Sequence, residues 1–188
     1  MRLRMTGRVV CLGWRRSSRK LLRSLSLRNF RGFREHRVDF GREAILIGRN
    51  NAGKTTIIEA LRVVSVCQTR APSATYIPCP PWLDGHCTGA GFKPSLETID
   101  FDYSNVQHGY ATENPAIIRA KLSNGNEISV FIGRDASEVF CQLRLKGRDA
   151  VHNRSMVNGN NFHSTKVMPP IGSLLPREKI IEKARLNR

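Results

Sequence analysis

Acidic residues are absent from the first 34 positions of this 188-residue chain; the first is Glu35. Eleven arginines and lysines stand before it, so the net charge of +16 is concentrated at the front. Residues 35–188 hold twenty basic and fifteen acidic residues, a nearly ordinary balance. Long apolar runs are also missing. Val9-Val10-Cys11-Leu12 is too short for a signal-peptide core, Arg15-Arg16 follow it closely, and nothing reaches membrane-spanning length. The five cysteines are odd in number and show no CxxC spacing, which argues against a disulfide framework. Cys79, His86 and Cys87 loosely suggest a metal site but lack a convincing fourth ligand. Reduced thiols of a cytoplasmic protein are the simpler reading.

What is present is a glycine-framed loop. Gly48-Arg49-Asn50-Asn51-Ala52-Gly53-Lys54-Thr55 fits G-x-x-x-x-G-K-[ST], the Walker A phosphate-binding pattern. The apolar run Ala44-Ile45-Leu46-Ile47 before it predicts a buried strand. Apolar residues at 57, 58, 61 and 64 after it predict a helix. Strand, loop and helix together direct backbone N–H groups and the positive helix end at one point, where a phosphate binds. Gly48 and Gly53 allow backbone conformations that a β-carbon obstructs. Lys54 is a point charge for the β- and γ-phosphates of ATP. Thr55 offers its hydroxyl to the magnesium ion that bridges them.

Upstream, Leu25 and Leu27 alternate with polar residues as in a half-buried strand, Arg31-Gly32 forms a bend, and residues 37–40 make a second strand. Leu25-Ser26-Leu27-Arg28-Asn29-Phe30-Arg31-Gly32-Phe33, then Val38-Asp39-Phe40-Gly41, then residues 45–62 around the loop resemble the N-terminal lobe of SMC/RecF-type ATPase heads. Within that group the likeness is to AAA-type ATPases related to the OLD family. The match is specific over residues 24–64 and rests on Asn50-Asn51 before Ala52-Gly53-Lys54 and on Glu59-Ala60-Leu61 after Thr55-Thr56. The resemblance implies an α/β fold: a P-loop NTPase half-domain of ATP-binding-cassette head type, with an antiparallel β-layer beside the P-loop strand and helix. It implies ATP and Mg2+ at Gly48, Asn50, Asn51, Ala52, Gly53, Lys54, Thr55 and Thr56, with Thr55 on the metal. It also implies that Arg31 approaches the phosphates, against the alternative of a solvated turn residue. Coupling to DNA repair or anti-phage defence, a homodimer of heads and DNA as a partner come from the resemblance alone.

Residues 1–23 are expected to be a basic extension without fixed structure. A nucleic-acid-binding arm, a transit peptide and a start codon placed too far upstream all remain open for it. Residues 24–188 are expected to form the N-terminal lobe of an incomplete head. Within them, residues 69–95 read as a long exposed connection, with Trp82-Leu83 pinning it to the body. Strands are predicted from the alternation Ile99, Phe101, Tyr103 and over residues 116–122, 128–132 and 139–145. Asn124-Gly125 marks a hairpin between two of them. That hairpin also disposes of Leu122-Ser123-Asn124-Gly125-Asn126 as a signature motif, which should open a helix. A short helix is expected over 177–186, and Met168–Leu174 resembles a proline-containing segment of bacterial ATPases of this group.

No apolar run ending in Asp-Glu follows the P-loop. Residues 128–135 come nearest, but Gly133-Arg134 interrupts them. Gln142 reads as a strand residue or as a magnesium-contacting glutamine. Hydrolysis is therefore expected to need a C-terminal lobe and a second head. The alternative is a catalytically inactive nucleotide-binding or basic nucleic-acid-binding module. A small P-loop kinase is a third reading, and the strands over residues 96–145 disfavour it.

Overall fold

In a computed structural model of the chain, residues 10–12, 22–41, 43–49, 52–148, 150–158 and 162 are described. The main body is a five-stranded antiparallel sheet of order β3-β2-β7-β8-β9. Its members are β2 Leu22–Phe30, β3 Phe33–Asp39, β7 Ala116–Leu122, β8 Glu127–Ile132 and β9 Val139–Arg144. A separate pair joins β1 Val10–Leu12 to β4 Ile45–Ile47, the strand before the P-loop. Helix α1, Lys54–Arg70, follows the loop. Strands β5 Ile77–Pro78 and β6 Ala90–Gly91 form a small ladder, and α2, Arg154–Asn158, is the last described element.

The sheet forms because its strands present one continuous apolar face. Leu25, Leu27, Ile118, Ala120, Ile128, Val130 and Leu143 are buried in one cluster with Ile57, Ala60, Val64 and Cys67 of α1. The α1 residues recur at i, i+3, i+7 and i+10, one stripe of a 3.6-residue helix. Ile58, one of the apolar residues whose spacing predicts the helix, lies off this stripe and is 39 % exposed. Asn124-Gly125 is the β7–β8 turn: Gly125 has φ 89 and donates to the Leu122 carbonyl at 2.9 Å. The hairpin reading, and with it the dismissal of a signature motif there, holds.

Four expectations change. Val10–Leu12, inside the segment read as lacking structure, pairs with the P-loop strand in antiparallel register. Strand β4, read as buried, exposes Ile45 at 66 % and Ile47 at 59 %. Only its middle residue, Leu46, packs on the core, so the described residues cover β4 from one side. Residues 97–103 are not a strand. They begin as a short 3-10 turn, Glu97–Ile99, and Asp100 at φ 49 breaks the extended run, so that Phe101 and Tyr103 meet edge to face at 4.9 Å. The connection over residues 69–95 is packed rather than loosely exposed. Leu83 is fully buried with Ile117, Phe131 and Phe140 on the sheet face opposite α1, and Trp82 rests partly buried beside them.

Gln142 helps hold that connection. It is a β9 strand residue, 3 % exposed, and its amide donates to the Thr88 carbonyl at 2.6 Å. The expected helix at 177–186, the segment Met168–Leu174, and residues 1–9 and 13–21 of the extension lie outside the described residues. Because Leu83 is the buried anchor, Leu83→Ala should cost about 2–5 kcal/mol of stability. Urea unfolding checks this: the midpoint should fall while the slope stays unchanged.

Candidate functional site

Every described residue of the loop lies at or before the N-terminus of α1. Gly53 is the residue before the helix and sits in the left-handed region at φ 86, ψ 13. A β-carbon there is doubly excluded, by that backbone angle and because it would overlap the Phe33 ring. Phe33 in turn stacks on His36 at 4.4 Å, so β3 packs its first residues against the loop. The Ala52 N–H donates to the Arg49 carbonyl at 3.1 Å and tightens the turn.

Lys54 folds back over the loop. Its ammonium donates to the Gly48 carbonyl at 2.6 Å and to the Arg49 carbonyl at 2.7 Å. No side chain caps α1 and no acid stands in its first turn, so the positive helix end is not neutralised locally. Thr55 is exposed at this end and Thr56 is half-buried. Thus Gly48, Ala52, Gly53, Lys54, Thr55 and Thr56 are brought together. Asn50 and Asn51 lie outside the described residues.

Arg31 occupies a different place in the arrangement. Its guanidinium forms a two-pronged pair with Glu59 of α1: Nη2 to Oε1 at 2.6 Å and Nε to Oε2 at 3.1 Å. Nη2 also donates to the Asp102 carbonyl at 2.7 Å, and the group lies 5.1 Å from the Phe101 ring centroid. Glu59 is one helical turn beyond Thr55, so the β2–β3 turn is clamped to α1 beside the loop rather than bonded to the loop. The pair is partly buried, with side chains 13 % and 26 % exposed. Arg31 holds φ 52, an unfavourable left-handed angle for an arginine, while Gly32 beside it does not take that role. Sequence reasoning missed Glu59 and Phe33 as site residues. The signal for Glu59 was its four-residue spacing from Thr55 on the same helix face.

The turn is secured by backbone bonds as well. The Arg31 N–H donates to the Val106 carbonyl at 2.6 Å, and the Arg31 carbonyl lies 3.1 Å from His108 Nδ1. Asn29, also left-handed at φ 52, donates its amide to the Asn114 carbonyl at 2.8 Å. Residues 102–114 therefore wrap the hairpin that supports the P-loop.

Among the described residues, no three His, Cys, Asp or Glu side chains converge on a cation position. Burial, and then the neighbouring Cys79, push the Cys87 thiol up to about 12. Asp135, at the end of the apolar run 128–132, lies in the β8–β9 turn and accepts from the Ser137 N–H and hydroxyl at 2.7 Å each. For magnesium, Thr55 supplies a hard oxygen donor at the phosphate end of the helix and fits such an ion through one ligand.

A model of the AAA ATPase domain family matches residues 21–145, and the chain belongs to that family. It is a P-loop NTPase, with the antiparallel sheet and α1 as its observed framework. The chain is also similar to a DNA replication and repair protein RecF from Synechococcus sp. (strain JA-2-3B'a(2-13)), 40% identical over 53 residues. That stretch covers 28% of this chain and 14% of the relative, so the chain spans only a small part of that protein's length. Among the described residues, no helix is long and apolar enough to cross a membrane.

The left-handed angle at Arg31 gives a test of its role. Arg31→Ala should lose the Glu59 pair and keep the strain. Arg31→Gly should lose the pair but relieve the strain, and so be more stable than Arg31→Ala by about 1 kcal/mol. Chemical denaturation of both variants checks this order; equal stability would mean that the turn is not strained at this residue.

Proposed function

We propose that the chain is the ATP-binding lobe of an SMC/RecF/OLD-like ATPase head. The observation that supports this best is the Lys54 ammonium folded over the Gly48 and Arg49 carbonyls at an uncapped helix N-terminus. Those two bonds hold the charge in the loop, from which it swings to phosphate oxygens as the carbonyls are exchanged for stronger, charge-assisted partners. Backbone N–H groups of residues 53–56 would receive the β-phosphate, and Asn50 and Asn51 belong to the same loop in the sequence. Magnesium would take the Thr55 hydroxyl, and when bound it supplies charge neutralisation across the β- and γ-phosphates. Arg31 is bonded to Glu59, one helical turn beyond Thr55, and its guanidinium would reach the phosphates by exchanging Glu59 for them.

Binding and hydrolysis separate in this reading. Hydrolysis needs an acid to complete the metal shell and a group to orient water. The reading assigns these to a C-terminal lobe and to a second head that supplies the signature across a homodimer interface. Coupling to DNA repair or anti-phage defence, in the cytoplasm, is part of this proposal, and the RecF similarity supports its DNA-repair branch. A second reading is a catalytically inactive nucleotide-binding or basic nucleic-acid-binding module, favoured by Gly133-Arg134, which separate the apolar run 128–132 from Asp135.

Calorimetry with ATP and magnesium tests the first part: wild type should bind and Lys54→Ala should not. Equal affinity of the two would remove the loop as the site. The chain alone should turn over ATP far below an ordinary enzymatic rate of about 1 per second. A Lys54-dependent turnover at or above that rate, in a coupled phosphate-release assay, would overturn the division between binding and hydrolysis.

A further inference from the structure

The sheet face opposite α1 carries a track of arginines that the nucleotide site does not use. Core residues Leu25, Leu27, Ile118 and Ala120 point to α1, so the alternate positions Ser26, Arg28, Ile117 and Arg119 face away. Strand register puts Arg37, Ser26 and Arg119 on one rung across β3, β2 and β7. At about 4.8 Å per strand, the two arginines on that rung stand about 10 Å apart at the backbone. The next rung in the same face carries Glu35, Arg28 and Ile117.

Two adjoining grooves meet at Arg28. One, of about 230 Å³, is lined by Arg28, Arg34 and His86. The other, of about 280 Å³, is lined by Arg28, Arg37 and Arg119, with Glu35 at its side. Arg37 pairs with Asp39 at 2.9 Å and Arg119 with Glu127 at 3.4 Å, in exposed geometries that hold little energy against a competing anion. Neither Arg28 nor Arg34 has an ion-pair partner among the described residues, although Glu35 lies directly across the ladder from Arg28.

We infer that this arginine track binds the phosphodiester backbone of a nucleic acid. The inference rests on the nucleic-acid coupling proposed above and assigns it a surface. Guanidinium forks match phosphate oxygens two at a time, and successive arginines along and across the strands meet successive phosphates. The face suits a peptide poorly. Its floor lies on β2 and β7, interior strands without a free edge for main-chain pairing, and only its β3 margin reaches the sheet edge. Its apolar floor residue, Ile117, is only 7 % exposed and gives a peptide side chain little to grip. Contact is to the backbone, so base preference should be slight.

The test is fluorescence anisotropy of the full chain on a labelled 30-base-pair duplex at two salt concentrations, with DNA and RNA duplexes of one sequence as separate arms. Arg28→Glu/Arg34→Glu should weaken binding at least tenfold and lower the salt slope by about two. Lys93→Glu/Arg148→Glu, with the same charge change elsewhere, should weaken it far less. Retained ATP affinity in Arg28→Glu/Arg34→Glu shows that the variant is folded. Preference for the DNA or the RNA arm names the source of the phosphate, and loss in the preferred arm supports the track. Equal loss in the two double variants would reduce the effect to net charge and overturn the assignment. So would unchanged binding by Arg28→Glu/Arg34→Glu, which would move the contact to residues 1–21. Poly-glutamate binding as tightly as duplex, with the same arginine dependence, would replace the nucleic acid by an acidic protein partner. Absence of duplex binding by wild type at low salt would defeat the nucleic-acid reading itself.

Discussion

The Arg31–Glu59 pair is the contact on which the arrangement of the site depends. It joins a two-residue hairpin turn to the second turn of the helix that opens at the P-loop. A half-buried guanidinium–carboxylate pair in two-pronged geometry fixes distance and orientation together, which one hydrogen bond does not. The pair does not stand alone. Phe33, two residues past Arg31, fills the space that a side chain at position 53 would need. The hairpin therefore presses on the loop from one side while its turn grips the helix a few residues later. Left-handed backbone at Asn29 and Arg31 is tolerated because residues 102–114 hold both through hydrogen bonds.

This clamp also divides the sheet between two tasks. One face is given over to α1, with Leu25, Leu27, Ile118 and Ile128 meeting the helix stripe. The opposite face is split. Toward β8 and β9 it is apolar and covered by the connection that buries Leu83. Toward β2 and β3 it is left open and basic. The covering connection stops where the arginines begin, because Ile117 is the last apolar residue on the rung that passes from Phe140 and Phe131 to Arg28. The same strand alternation that builds the core thus leaves a charged surface on the face away from α1.

Positions set by local preference were legible in the sequence. Gly53, Lys54 and Thr55 stand at the turn into α1, where their spacing puts them. Asn124-Gly125 needs only its own backbone preference and two apolar flanks. Positions decided by distant contacts were not legible. Ile99, Phe101 and Tyr103 alternate like a strand, yet no strand among the described residues offers them a ladder, and Phe101 is taken by the Arg31 guanidinium and Tyr103. Trp82 drew attention by its size, whereas the smaller Leu83 is the residue fully buried. Glu59 was visible as part of a family pattern, but its partner lies 28 residues away, beyond the reach of any local rule.

Strand β4 leads directly into the P-loop. Apolar composition marked it as buried, and burial is what Ile45 and Ile47 lack. The strand pairs with β1 and touches the core through Leu46, so two of its three side chains meet water at the approach to the loop. Leaving two isoleucines in water forfeits about 1.5–3 kcal/mol each relative to full burial. The helix end at the other side of the loop is also without a cap or acid. Under the proposed reading both deficits have one origin. The hairpin, α1 and Lys54 suffice to shape a phosphate cradle, whereas covering β4 and completing the metal shell are tasks for elements that approach from its exposed side. Nucleotide affinity and catalysis then depend on different contacts, and a change that improves the cradle need not raise turnover at all.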